Sequence, residues 1–177
     1  MSVPLVLVAG ISGAGKSAVC VELQRRGHEA HDLDLDGNAV WVDRETGEVS
    51  PADASQSAQS LDWFERHDWC LVPEKVRGIA ERAGRRTVFL CGMTKNEYEV
   101  SHLFSRVIYL SIDAHTIEHR VRSRTMNDFG KADHELAAIL DWHEFAEREH
   151  QQAGAVIIDA TQSLTQVVDE VLRAAST

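Results

Sequence analysis

The 177-residue chain is 44% hydrophobic, which suits one domain with a sizeable core. Its formal net charge of −10 disfavours a surface built for nucleic acid or anionic lipid. No apolar run reaches the roughly 18 residues of a transmembrane helix. The three cysteines, Cys20, Cys70 and Cys91, lack C-x-x-C spacing. Cys20 and Cys91 lie among apolar neighbours and read as reduced core residues, so a cytoplasmic protein is expected.

Leu5-Val6-Leu7-Val8-Ala9 reads as a buried strand that the chain enters without a charged leader, so no signal peptide is expected. It runs into Gly10-Ile11-Ser12-Gly13-Ala14-Gly15-Lys16-Ser17, which fits G-x-x-x-x-G-K-[ST], a phosphate-binding loop. The glycines let backbone N–H groups turn inward, and the following helix adds partial positive charge where phosphate sits. Lys16 can reach the β/γ-phosphates, and the Ser17 hydroxyl can ligate Mg²⁺. The expected nucleotide contacts are Gly10, Ser12, Gly13, Ala14, Gly15, Lys16, Ser17 and Ala18.

Helix one stops near Arg25-Arg26-Gly27, and a short second strand follows over 28–32. Residues 33–60 are irregular and acidic, too long for a plain connection and suited to a binding loop or lid. Within them, 40–42 and 48–50 can form a small hairpin about 43–47. A helix is expected over 61–71, with Leu61, Phe64 and Trp69 on its apolar side, and another from Pro73 to Gly84. Strand three covers 87–91, a short helix 96–104, strand four 107–110 and a long helix 114–126. After an interruption at 127–131, helix resumes over 133–152. Strand five covers 155–158, and the last helix spans 164–174. Strands alternating with helices, and continuously apolar, give a single α/β domain: a parallel five-stranded sheet, doubly wound in three layers.

Asp32-Leu33-Asp34-Leu35-Asp36 alternates acid and leucine. If extended, its acids share one face, near the crevice that the phosphate loop opens onto. This places Asp32 beside Mg²⁺ and Asp34 beside an acceptor hydroxyl. Asp113 reads as a helix N-cap rather than as the metal-side acid. Arg120 and Arg124 lie one helical turn apart, suited to bind triphosphate oxygens and steady transition-state charge. Ala160, Thr161 and Gln162, after strand five, can hold adenine through backbone groups.

Taken together, these motifs resemble the small P-loop kinases: the shikimate, gluconate, nucleoside and nucleotide kinases. His31-Asp32-Leu33-Asp34 is similar to the D-x-D pattern of shikimate kinases, Arg120-x-x-x-Arg124 to the lid arginines of nucleotide kinases, and Ile158-Asp159-Ala160-Thr161 to their final strand and adenine loop. The resemblance implies sheet order 2-3-1-4-5, ATP and Mg²⁺ as cofactors, a lid over 120–133 and an acceptor-binding region over 33–84. It also departs. Cys91-Gly92-Met93 replaces the triple glycine of shikimate kinases, and no match is found for their acceptor arginines. Gly92-Met93-Thr94-Lys95-Asn96 replaces the Asp-Gly and following Arg of nucleotide kinases. The acceptor is therefore undetermined.

The expected activity is transfer of the γ-phosphoryl of Mg·ATP to a small-molecule hydroxyl or phosphate, by a monomer or homodimer that binds neither nucleic acid nor membrane. Lys16, Asp34, Arg120 and Arg124 would carry the chemistry, with Ser17 and Asp32 on the metal. The alternative is an ATP-dependent switch without an acceptor. His115-Thr116-Ile117-Glu118-His119 fits the zinc-peptidase pattern H-x-x-E-H, but no distal acidic ligand stands out. Trp41 and Trp63 fall in the region that covers the acceptor, where either can stack on a ring, although core packing is the expectation for Trp63.

Overall fold

Every residue of strand β1, Leu5–Ala9, is buried, as an unbroken apolar run at the centre of a sheet should be. The computed structural model describes residues 5–35, 37–51, 61–125 and 128–176. After β1 come α1 (Lys16–Arg25), β2 (Glu29–Asp32), β3 (Ala39–Asp43), α2 (Leu61–Arg66), β4 (His67–Leu71), α3 (Pro73–Ala83) and β5 (Val88–Cys91). A 3-10 helix (Glu97–Leu103), β6 (Phe104–Ser111), α4 (Ala114–Ser123), α5 (Asp133–Gln152), β7 (Val156–Asp159) and α6 (Leu164–Ala175) complete the chain.

Five strands form a parallel sheet in the order β2-β5-β1-β6-β7. Numbered along the chain within that sheet alone, this is 2-3-1-4-5, the order that the resemblance implies. Strand alternation sends Val6 and Val8 to one face and Leu5, Leu7 and Ala9 to the other. On the first face they pack with Val19, Cys20 and Leu23 of α1 and Val167, Val168 and Val171 of α6. On the second they meet Val76, Ile79 and Ala80 of α3 and Val100 of the 3-10 helix. The result is the expected three-layer, doubly wound arrangement.

Residues 61–71 depart from expectation. The helix stops at Arg66, and 67–71 become β4, antiparallel to β3 in a separate two-stranded sheet with Trp41 opposite Trp69. A helical reading groups Trp69 with Leu61 and Phe64 on one broad apolar side, but a cross-strand partner far away in sequence outweighs that local pattern. The small hairpin about 43–47 is present, with Asp43 N–H donating to the Glu48 carbonyl at 2.9 Å, Ser50 N–H to the Trp41 carbonyl at 2.8 Å and an antiparallel bridge between Val42 and Val49. The main partner of β3 is β4. Helix α4 ends at Ser123, short of Met126, which with Asn127 lies outside the described residues.

Beneath the sheet, His150 of α5 bonds through both ring nitrogens. Nδ1 meets the Ala146 carbonyl and Nε2 the Glu97 carboxylate, each at 2.7 Å. Two acceptors require two N–H donors, hence an imidazolium. Burial alone would lower its pKa, but the Glu97 hydrogen bond and charge and the Ala146 carbonyl raise it overall. A raised native pKa means the stabilisation is complete below the unfolded value of about 6.5 and is lost as pH climbs through the native value. Thermal melts of the wild type should therefore fall in Tm above about pH 6.5 relative to His150→Gln, and parallel profiles would contradict the ion pair.

Candidate active site

The loop after β1 turns at Gly13 (φ +90°) and Gly15 (φ +97°), where a side chain would strain the backbone. Gly15 caps α1 with no side-chain hydrogen bond to the first turn, which leaves the amides there without a side-chain capping partner. Lys16 folds back over the loop. Its Nζ donates to the Gly10 carbonyl at 2.7 Å and the Ile11 carbonyl at 3.2 Å. Desolvation lowers the Lys16 pKa, Asp34 and Asp32 oppose that shift, and Arg124 adds to it. Ser17 and Ala18 are exposed on the first turn of α1.

The acidic stretch does not continue as a strand. β2 ends at Asp32, whose buried carboxylate accepts from the Asp34 N–H at 2.9 Å in an Asx turn. Leu33 is fully buried while Leu35 is 71% exposed, so the two leucines do not share a face. Asp36 lies outside the described residues. The turn still delivers both acids to the loop. Asp34 keeps contact with solvent at the crevice mouth and accepts from Trp69 Nε1 at 2.9 Å. Displaced water raises its pKa and Asp32 adds to that, against the pull of Lys16, the Trp69 hydrogen bond and Arg124.

Arg120 and Arg124 reach the same loop from α4. Arg120 Nη2 donates to the Ala160 carbonyl at 2.9 Å, and Nη1 lies 3.4 Å and 3.5 Å from the Gly13 and Ala14 carbonyls. Arg124 Nη1 donates to Ser12 Oγ at 3.1 Å and Nη2 to the Phe129 carbonyl. Arg122 points away, paired with Asp133 at 2.8 Å. Asp113 is an N-cap, its Oδ1 accepting from Thr116 N–H at 2.7 Å. After β7, Asp159 Oδ1 accepts from the Thr161 N–H at 2.9 Å and hydroxyl at 2.6 Å, and Gln162 Nε2 donates back to the Asp159 carbonyl at 3.1 Å. Arg120 thus ties the loop bearing Ala160, Thr161 and Gln162 to the phosphate loop.

Glu135, buried at the start of α5, accepts from the Gly130 N–H at 2.8 Å and holds the segment after α4 in place. His115, Glu118 and His119 line an open cavity of about 440 Å³ on the outer side of α4. Among the described residues, no cluster of three His, Cys, Asp or Glu side chains could hold a metal ion.

A family model described as an AAA domain matches residues 6–160. The chain belongs to this AAA-domain family. No curated protein matches its sequence. Solved structures with the same fold include deoxyadenosine kinase from M. mycoides with bound dATP, at 14% identity and TM-score 0.62, covering 98% of this chain and 99% of that one. Shikimate kinase from Acinetobacter baumannii in complex with shikimate matches at 15% identity and TM-score 0.62, over 97% and 92% of the two chains. A gluconokinase from Sinorhizobium meliloti 1021 matches at 16% identity and TM-score 0.51, over 99% and 94%. The AAA-domain protein therefore has the fold of the small P-loop kinases.

Three site residues carry no functional signal in the sequence. Local pattern gives Trp69 to a helix, leaves Phe129 in a loop tip without a role, and marks Gly92 only as a departure. A Cβ on Gly92 would sit 2.5 Å from Leu33 Cβ, so the strand end lies flush against the turn that carries Asp32 and Asp34. Gly92→Ala should destabilise this AAA-domain protein by about 1–3 kcal/mol in denaturant titration. An unchanged midpoint would show that the turn can give way.

Proposed function

We infer that the protein is a phosphotransferase that moves the γ-phosphoryl of Mg·ATP to a small-molecule acceptor. The observation that carries this reading is the convergence of Lys16, Asp34, Arg120 and Arg124 on one loop from separate elements. Loop amides and Lys16 hold the phosphates, with Gly10, Ser12, Gly13, Ala14, Gly15, Ser17 and Ala18 around them. Ala160, Thr161 and Gln162 border the adenine. The hard oxygen donors Ser17 and Asp32 suit Mg²⁺, which when bound neutralises phosphate charge. Asp34 takes the proton of the acceptor hydroxyl, and the elevated pKa of its carboxyl suits a base. The acceptor oxygen bonds to the γ-phosphorus, the bond to the bridging oxygen breaks, and ADP leaves with that electron pair. Arg120 and Arg124 steady the charge on the group in transit.

On this reading one domain over 1–177 contains an acceptor region over 33–84 and a lid over 120–133. Residues 36, 52–60, 126 and 127 of these lie outside the described set. The three free thiols fit a cytoplasmic location. No helix among the described residues is long and apolar enough to cross a membrane.

Lys16→Ala should cost about 3 kcal/mol of transition-state stabilisation, roughly a hundredfold in kcat/KM. Wild-type turnover would remove Lys16 from the chemistry. Asp34→Asn should lower kcat by roughly a hundredfold or more while calorimetric ATP affinity stays nearly constant. An equal loss of affinity would move Asp34 to the nucleotide side. ATP consumption that no metabolite accelerates would favour a nucleotide switch instead.

A further inference from the structure

Six half-buried rings from β3, α2, β4 and the segment after α4 form one cluster. Trp41 is central, with ring centroids at 4.9 Å from Trp63, 5.7 Å from Phe64 and 5.1 Å from Trp69. His67 stacks on Trp63 at 4.1 Å, and Phe64 meets Phe129 edge-on at 5.3 Å. One end of this wall is the indole N–H that Asp34 accepts. The other is Phe129, whose carbonyl takes a hydrogen bond from Arg124 and so adjoins the phosphate loop. The wall therefore spans the gap between the acceptor-side carboxylate and the triphosphate cradle.

Its charges are unsuited to an anion. Asp32 and Asp34 lie at its base. Of the basic side chains on or next to β3, α2 and α3, Arg44 is paired with Asp68 at 2.8 Å and Arg77 with Glu74 at 3.1 Å, while Arg66 and Lys75 donate to the Asp62 and Gly37 carbonyls. Lys95, whose N–H donates to the Trp69 carbonyl at 2.8 Å, has an exposed side chain. Lys16 and Arg124 also act on Asp34, but on the phosphotransferase reading both are taken by the triphosphate, so among the described basic residues of this wall Lys95 is the one left for an anionic acceptor.

We propose that the acceptor is an uncharged hydroxyl compound with a flat apolar face, seated between this aromatic wall and Asp34. This rests on the phosphotransferase reading. Ring faces supply apolar contact and stacking to a flat neutral molecule, whereas a phosphate or carboxylate would stand beside Asp32 and Asp34 with Lys16 and Arg124 already committed to the triphosphate.

The test uses the full chain carrying Trp142→Phe. Trp142 is 45% exposed on α5, and its removal leaves Trp41, Trp63 and Trp69 as the indoles. Adenosine, cytidine and thymidine are each compared with their 5′-monophosphates, with gluconate and shikimate as further anions. Acceptor-stimulated ADP release and indole fluorescence are both read. At least one nucleoside should quench the indoles and give a kcat/KM tenfold or more above every anion. Trp63→Leu should then raise the acceptor KM tenfold without changing that for ATP, while Lys95→Met stays within twofold. If Trp63→Leu does not fold, quenching of the intact wall by the preferred nucleoside supports the proposal, and unchanged fluorescence overturns it. Preference for a monophosphate, gluconate or shikimate, with turnover lost in Lys95→Met, would overturn the proposal and leave the kinase reading standing. ATP binding without acceptor-stimulated ADP release from any compound would overturn both.

Discussion

The ammonium of Lys16 is held by two loop carbonyls in a crevice too dry to favour its charge. The rest of the site is arranged around that constraint. Asp32 and Asp34 supply compensating negative charge, and Arg124 limits it from the far side. The carboxylates need the cations as much as the reverse, since Asp34 is itself pushed towards its neutral form by lost water. On the proposed function, an incoming triphosphate takes over the partners that the loop carbonyls and Ser12 now provide. The charged groups are already assembled before it arrives, which reduces reorganisation during reaction.

Much of this is legible in the sequence because it is local. An apolar strand, a glycine-rich loop and a helix are contiguous, and the loop's positive φ angles at Gly13 and Gly15 are what its motif demands. Helix α5 runs from Asp133 to Gln152 as its periodicity predicts, and Asp113 caps α4 as its residue type suggests. Arg120 and Arg124 meet the loop because their spacing puts them on one side of a helical turn, although Arg124 sits just past the last helical residue.

What is not legible depends on partners far apart in the chain. Trp69 pairs with Trp41 across 28 positions and donates to Asp34 across 35, and neither link leaves a trace in a local window. The alternation of acid and leucine after β2 suggests an extended strand, yet the Asp32 carboxylate captures the Asp34 amide and turns the chain instead. A short polar side chain that competes with the backbone ladder is enough to end a strand. The need for a glycine at 92 is hidden for the same reason: Leu33, which fills the space, comes from another element.

Helix α5 is fastened at both ends. Glu135 in its first turn grips the Gly130 amide, and His150 in its last turn grips Glu97 below the opposite face of the sheet. At about 1.5 Å per residue these anchors stand roughly 22 Å apart on one rigid rod. The segment after α4 and the 3-10 helix beneath the sheet are thus joined through one helix. Displacing the first must either break the Glu135 clasp or tilt the rod about its imidazolium pivot.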